Sequence, residues 1–413
     1  MILKAETIWP GRGRVIRDGG IKIEQGIVTE IAPFADVARG RERVQDLGNA
    51  ILLPAFVNAH THLDLSHLKG KTEKGSRFEQ WLKTVAKARA MTLFETRSVR
   101  RGIAEVIAGG ATAVGDISVS GKSAALIHKH GLLESVVFCE VLGFDPADAG
   151  RKLERLRAGI EGMQDGKHVR LGISPHAPYS VSAELFRGCA ALARELDLPM
   201  AIHAAESPSE VEFLASGTGE LRELLESVGM IPKNWQPPGK RPIHYLDDLG
   251  VLKCSPMLIH CYQVDESEAA VIESRGCSVA YCPRSNAFFR RPTDSLHKLL
   301  EAGVNVALGT DSLASNDSLS MLDEMRFVKE RHPHLDWETV LEMGTINAAR
   351  ALGIRQGGVL KVGLPADIAA IKPADAPALP SQILGEGSSV IFTMRAGRRL
   401  RKPAISRRIF TEA

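Results

Sequence analysis

From residue 55 to residue 356 the chain alternates short apolar runs with amphipathic stretches, and this alternation restricts its fold more than any other feature. Apolar runs occupy residues 51–58, 111–117, 135–141, 169–174, 200–203, 257–260, 278–282 and 305–311, eight in all. Between them lie stretches with helical spacing, such as 182–196 and 265–275. Strands that alternate with helices build βαβ units and a parallel sheet. Eight such units predict an α/β fold, a TIM-like (β/α)8 barrel, whose chemistry sits where the strands end. Strand-like segments with glycine turns at 1–9 and 20–31 have counterparts at 366–371 and 389–398. The two ends are therefore expected to share a small β-sandwich, 1–54 with 357–413, around a catalytic barrel at 55–356.

Composition excludes several function classes. Across 413 residues, 52 Lys and Arg face 49 Asp and Glu, a net charge of +3. That balance offers no field for phosphate neutralisation, so no nucleic-acid partner is expected. The basic residues between Arg395 and Arg408 form the single basic cluster and read as a solvated tail. Six scattered cysteines without a CxxC pair argue against a zinc ribbon and against a secreted disulfide framework. No apolar run reaches the ~18 residues of a membrane span, and the N-terminus has no signal pattern, so a cytoplasmic protein without a membrane partner is expected. No phosphate-loop or dinucleotide fingerprint is present.

The polar residues that end the apolar runs carry the chemistry. The first run closes on His60-Thr61-His62, and residues two apart on a strand share a face. The fifth ends at His203, with Glu206 three residues on; the sixth ends at His260 and the eighth at Asp311. His176 follows the fourth. A solitary His-x-His is as compatible with a solvated strand, but several strand ends bearing His or Asp favour a metal site. Three imidazoles and one carboxylate suit Zn²⁺, with Fe²⁺ as the alternative. A metal ion lowers the pKa of a water from 15.7 towards ~7. A carboxylate beside it, Glu206, suits proton shuttling; the competing reading makes Glu206 a cap of the helix starting near Ser207. Asp64 and His67 are candidates for orienting the imidazoles.

Residues 54–62, 174–180 and 308–316, with 363–368, together resemble the amidohydrolase superfamily, in its cytosine-deaminase and chlorohydrolase-like branch. The resemblance implies that His60, His62, His203 and Asp311 ligate one divalent metal. Binuclear relatives carry a carboxylated lysine after strand four; here His176 stands instead, so one ion is expected. It also implies that His260 and Asp311 deprotonate water while Glu206 protonates a ring nitrogen, which favours deamination over displacement of chloride. Residues 78–82 resemble the nucleoside-contacting segment of S-adenosylhomocysteine and methylthioadenosine deaminases. Carried across, Glu79 accepts hydrogen bonds from ribose hydroxyls, Trp81 packs on the substrate, His176 meets the purine edge and Arg151 reaches a distal carboxylate. Aminodeoxyfutalosine deaminases belong to the same branch, and residues 241–250 depart from the homocysteine-type enzymes. The expectation is a metal-dependent deaminase of a 6-aminopurine nucleoside, acting on a small molecule, with a homodimer admissible. Its rivals are a deaminase of free guanine, 8-oxoguanine or cytosine, a triazine or cyclic-amide hydrolase, and a non-catalytic metal-binding barrel.

Overall fold

The computed structural model describes residues 1–91, 96–163, 166, 168–291 and 295–400. Strands Phe56–Thr61, Ala111–Ser118, Glu134–Val141 and Val169–Pro175 form one four-stranded parallel sheet in chain order. Strands Ala201–Ala204, Met257–His260, Ser278–Tyr281 and Asn305–Leu308 form a second. A parallel bridge from Ile173 to Met200 joins the two sheets on one flank. On the other flank the Thr310 and Asp311 amides both donate to the His60 carbonyl, at 3.0 and 3.1 Å. The eight strands therefore follow one another in sequence in a TIM-like α/β arrangement.

Side chains two apart share a face, and the packing follows that period. Val57, Ala59, Val136 and Phe138 point to one apolar cluster together with Ala201, Ile259, Ala280 and Ala307. Their neighbours Phe56, Val137 and Cys139 join the larger cluster under the helices. Burial on both faces explains why these strands read as continuous apolar runs. The helices start where side-chain caps place them. Ser182 accepts from the Leu185 amide at the head of Ala183–Glu195, and Asp265 with Glu268 closes a capping box on Glu266–Ser274.

The opening run of residues 51–58 is two strands. Ile51–Pro54 lies between Ile2–Gly11 and Ile368–Lys372 in the terminal sheet, and only from Phe56 does the chain join the parallel set. Pro54 has no N–H with which to extend the ladder, and the next amide, Ala55, donates to Asp367 at 3.0 Å. The terminal sheet has eight strands drawn from both ends of the chain. Leu52, Ile368 and Ala370 face a core with Leu3, Ile8 and Ile21, while Ile51, Leu53, Ala369 and Ile371 face the larger core that also packs against the parallel strands. The reading of 395–408 as a solvated tail fails at its first residue. Arg395 is buried, donates to the Gly131 carbonyl at 3.0 Å and is ion-paired with Glu134. Residues 401–408 of that cluster lie outside the described residues.

Candidate metal centre and active site

The strand ends that carry the candidate ligands are also where the backbone is strained. Ala205, His260, Cys261 and Asp311 have φ of 50°, 74°, 53° and 55°, left-handed values that non-glycine residues adopt at a cost of about 1–3 kcal/mol each. Local hydrogen bonds hold them there. The Glu210 carboxylate accepts from the Ala205 and Glu206 amides at 3.1 and 2.8 Å, and the Thr61 hydroxyl donates to the Asp311 carbonyl at 3.0 Å. Gly309 lets strand eight approach strand one, since a Cβ there would stand 2.8 Å from that of His60. The strain therefore turns His260 and Asp311 inward, beside His60, His62 and His203.

One ligand nitrogen from each of His60, His62 and His203 lies within 4.8 Å of the others. Asp311 Oδ1 is 3.5 Å from His60 Nε2 and 3.8 Å from His62 Nε2. The other Asp311 oxygen accepts from Ser285 at 2.7 Å and Ser315 at 2.6 Å, which fixes the carboxylate plane. His60 is fully buried, and neither ring nitrogen has a hydrogen-bond partner. An orphaned buried imidazole beside two others and a carboxylate is what a divalent cation requires, so the donor set fits a metal ion.

Tautomers follow from the neighbours. The Tyr262 hydroxyl donates to the Cys282 carbonyl at 2.6 Å, so it accepts from His260 Nδ1–H at 3.1 Å. Ser180 donates to Ala177 and therefore accepts from His176 Nδ1–H at 2.6 Å. His203 Nδ1 donates to the His176 carbonyl at 3.0 Å. In all three rings the Nε2 lone pair is left for the site. Burial keeps the imidazoles neutral: it pulls His176 and His203 down to about 3, and His62 and His260 well below the ordinary value. The Asp311 carboxylate accepts from the Ser285 and Ser315 hydroxyls and from the Ser312 amide at 2.7 Å, hydrogen bonds that favour its charged form.

Glu206 lies on the opposite electrostatic side. It is buried, its Oε2 stands 3.8 Å from His260 Nε2, and the Arg291 Nη1 is 3.7 Å from Oε1. Burial, with the nearby Asp311 and Glu210, pushes its carboxyl up to about 8 against the opposing charge of Arg291. The helix-cap reading falls to Ser207, whose hydroxyl caps Pro208–Ser216. A second donor group, Glu140, His176 and His203, also gathers within 4.8 Å. His203 has one free lone pair to give, and the Arg89 guanidinium stands 3.0 Å from Glu140, so that corner disfavours a second cation.

The helix Phe78–Met91 spans the site. Near its start Glu79 is buried with Oε1 unpartnered, and Trp81 donates to the Ala314 carbonyl at 2.9 Å, three residues past Asp311. Two turns later Arg89 reaches Glu140 and approaches His62 Nδ1 at 3.4 Å. Arg151 is not brought to this group. It is exposed and paired with Asp148 at 2.8 Å, one helical turn away, so its guanidinium is held at the surface. Sequence reasoning missed Glu140, Arg89 and Arg291. Glu140 is the next-to-last residue of an apolar run, one position short of where His203 and His260 stand in theirs, so a slightly wider form of the same criterion would find it; the two arginines carry no such signal.

The model of the amidohydrolase family matches residues 51–400. The aminodeoxyfutalosine deaminase of Deinococcus radiodurans is 30% identical over 368 residues, 86% of this chain and 86% of that protein. The structure of Helicobacter pylori aminofutalosine deaminase in complex with methylthio-coformycin superposes with a TM-score of 0.86 at 24% identity, covering 97% of this chain and 100% of that one. An adenosine deaminase from Xanthomonas campestris with bound zinc gives a TM-score of 0.79 at 27% identity, over 96% and 92% of the two chains. A parallel α/β arrangement whose strand ends gather three imidazoles and an aspartate, together with a family match spanning most of its length, establishes that this chain belongs to the amidohydrolase family.

Proposed function

We propose that the protein is a metal-dependent deaminase that releases ammonia from a 6-aminopurine nucleoside of the aminodeoxyfutalosine, methylthioadenosine, S-adenosylhomocysteine or adenosine type. One observation carries the reading: a buried Glu206 carboxyl, pushed up to about 8, stands 3.8 Å from His260 beside the His60, His62, His203 and Asp311 donor set. Such a carboxyl keeps a proton to give near neutral pH. The names of the relatives point to nucleosides, and zinc in the Xanthomonas campestris neighbour supports Zn²⁺, held here by His60, His62, His203 and Asp311. Bound there, that ion supplies activation of water near neutrality.

The chain's own residues then do the following. Asp311 and His260, one anionic and one neutral with its Nε2 free, take the proton of the attacking water. Glu206 protonates the purine nitrogen next to the amino-bearing carbon, where charge builds as oxygen adds. The proton taken from water passes to the amino group, and the C–N bond breaks to release ammonia as the new hydroxyl returns a proton to Glu206. His176, its Nδ1–H committed to Ser180, meets the base edge with Nε2; Glu79 takes the ribose hydroxyls and Trp81 packs beside them. We take the architecture to be a closed (β/α)8 barrel at 55–356 carrying a β-sandwich from 1–54 and 357–413. Six unpaired cysteines accord with a cytoplasmic setting.

The test is an ammonia-release and ultraviolet-shift screen of the zinc-loaded protein on those nucleosides against free guanine, 8-oxoguanine and cytosine. Turnover of nucleosides supports the reading. Turnover confined to free bases sinks the substrate class.

A further inference from the structure

Beyond the ligands and the shuttling carboxyl, one side chain joins three parts of the site. Arg291 lies past the seventh barrel strand, and its side chain is only 7% exposed. Its Nη1 donates to the Glu206 backbone carbonyl at 2.7 Å and stands 3.7 Å from the Glu206 carboxyl. The guanidinium carbon sits 4.4 Å from the Phe289 ring centre and 4.9 Å from that of Phe78, the residue before Glu79. Two aromatic faces and a carbonyl thus determine where this cation lies, at a depth where an unpaired charge is costly. Among the described residues, the Glu206 carboxyl has two ion-pair contacts, His260 and Arg291. His260 belongs to the chemistry itself, so Arg291 is the group free to restrain Glu206.

We propose that Arg291 is a positioning residue: it grips the Glu206 carbonyl, stands beside the Glu206 carboxyl, and so holds that carboxyl between His260 and the substrate. The proposal rests on the deaminase reading and deepens it. Glu206 follows a left-handed residue, Ala205, and its main chain is held on the amide side by Glu210 and on the carbonyl side by Arg291. Removing the carbonyl-side restraint leaves the carboxyl free to swing, and a displacement of about 1 Å costs on the order of 10²-fold in rate.

The test is a cycle of zinc-loaded Arg291→Met, Glu206→Gln and the double variant, with Arg291→Lys as the conservative member. Arg291→Met is expected to lose about 10²-fold in kcat, with KM and metal content near wild type. Lys, which keeps one cationic donor, is expected to recover part of that loss. In the Glu206→Gln background the same substitution is expected to have little further effect, because its action passes through Glu206. An equal loss in both backgrounds, or a raised KM with kcat kept, overturns the proposal and assigns Arg291 to packing or to substrate. If the Met variant does not fold, the cycle is run with Arg291→Lys. Should the wild type turn over no nucleoside, the functional reading falls by itself, and a crystal structure of Arg291→Met decides the rest. A displaced Glu206 carboxyl supports the positioning role; an unmoved one overturns it.

Discussion

Two carboxylates flank the histidine cluster, each with its own arginine, and the arrangements differ. On strand three, Glu140 makes a direct ion pair with Arg89 at 3.0 Å. After strand five, Glu206 faces Arg291 at 3.7 Å, while the short contact of that guanidinium, 2.7 Å, goes to the Glu206 carbonyl. A carboxylate gripped by a guanidinium is a fixed anion. A buried carboxyl whose arginine is occupied elsewhere, and which is pushed up to about 8, can take up and release a proton. The difference separates an ion pair that ties the Phe78–Met91 helix to strand three from the carboxyl proposed as the acid. Two similar residue pairs thus differ by under an ångström of geometry.

Substitution breaks this comparison most directly at Glu206. Glu206→Gln should lower kcat by about 10²–10⁴-fold while zinc content, read by atomic absorption, stays at wild type. If Glu140→Gln shows the same kinetic loss with the same stability, the division of roles is wrong. The structural member should show itself in unfolding. Arg89→Met leaves Glu140 buried without its counter-charge, and removing one partner of a buried pair costs about 3–5 kcal/mol. Because a quarter of the Arg89 side chain is exposed, the lower end is expected, measured as a shift of the urea midpoint at constant slope.

The acid can also be read by pH. Glu206 must be protonated to donate, and burial raises its pKa to about 8, so kcat should fall as pH rises through that value. The descending limb should be absent in Glu206→Gln. A limb of unchanged position in that variant would assign it to another group. The smallest effect is expected at Ser180, which fixes the His176 tautomer through a 2.6 Å contact. Ser180→Ala removes the contact that fixes His176, worth about 1 kcal/mol, together with the hydrogen bond to the Ala177 carbonyl, and should appear as a several-fold rise in KM for the nucleoside with the metal retained.

Much of this was legible in the chain. The eight apolar runs gave the strands, because strands buried on both faces must be apolar throughout. His60, His62, His203, His260 and Asp311 were legible because each ends, or closely follows, such a run. A domain boundary was expected after residue 54, but that the run 51–58 is two strands was not legible, since Ile51–Pro54 and Phe56–Thr61 are equally apolar and only pairing separates them. Arg395 read as part of a tail, yet it is buried against Glu134, a contact spanning 261 positions that no local pattern reports. Arg151 looked well placed after strand three, but the nearest acid one turn away, Asp148, takes its charge at the surface.

The sequence by itself determined the strand order and the residue types delivered to the strand ends, since periodicity and composition are local properties. Only the tertiary structure decided what each of those residues can do. It set the lone pair of His260 through Tyr262, 20 positions from its own acceptor Cys282. It also placed Arg291 beside Glu206, 85 positions apart in the chain. Charge state and tautomer depend on burial and on neighbours within a few ångströms, and those neighbours come from distant parts of the chain.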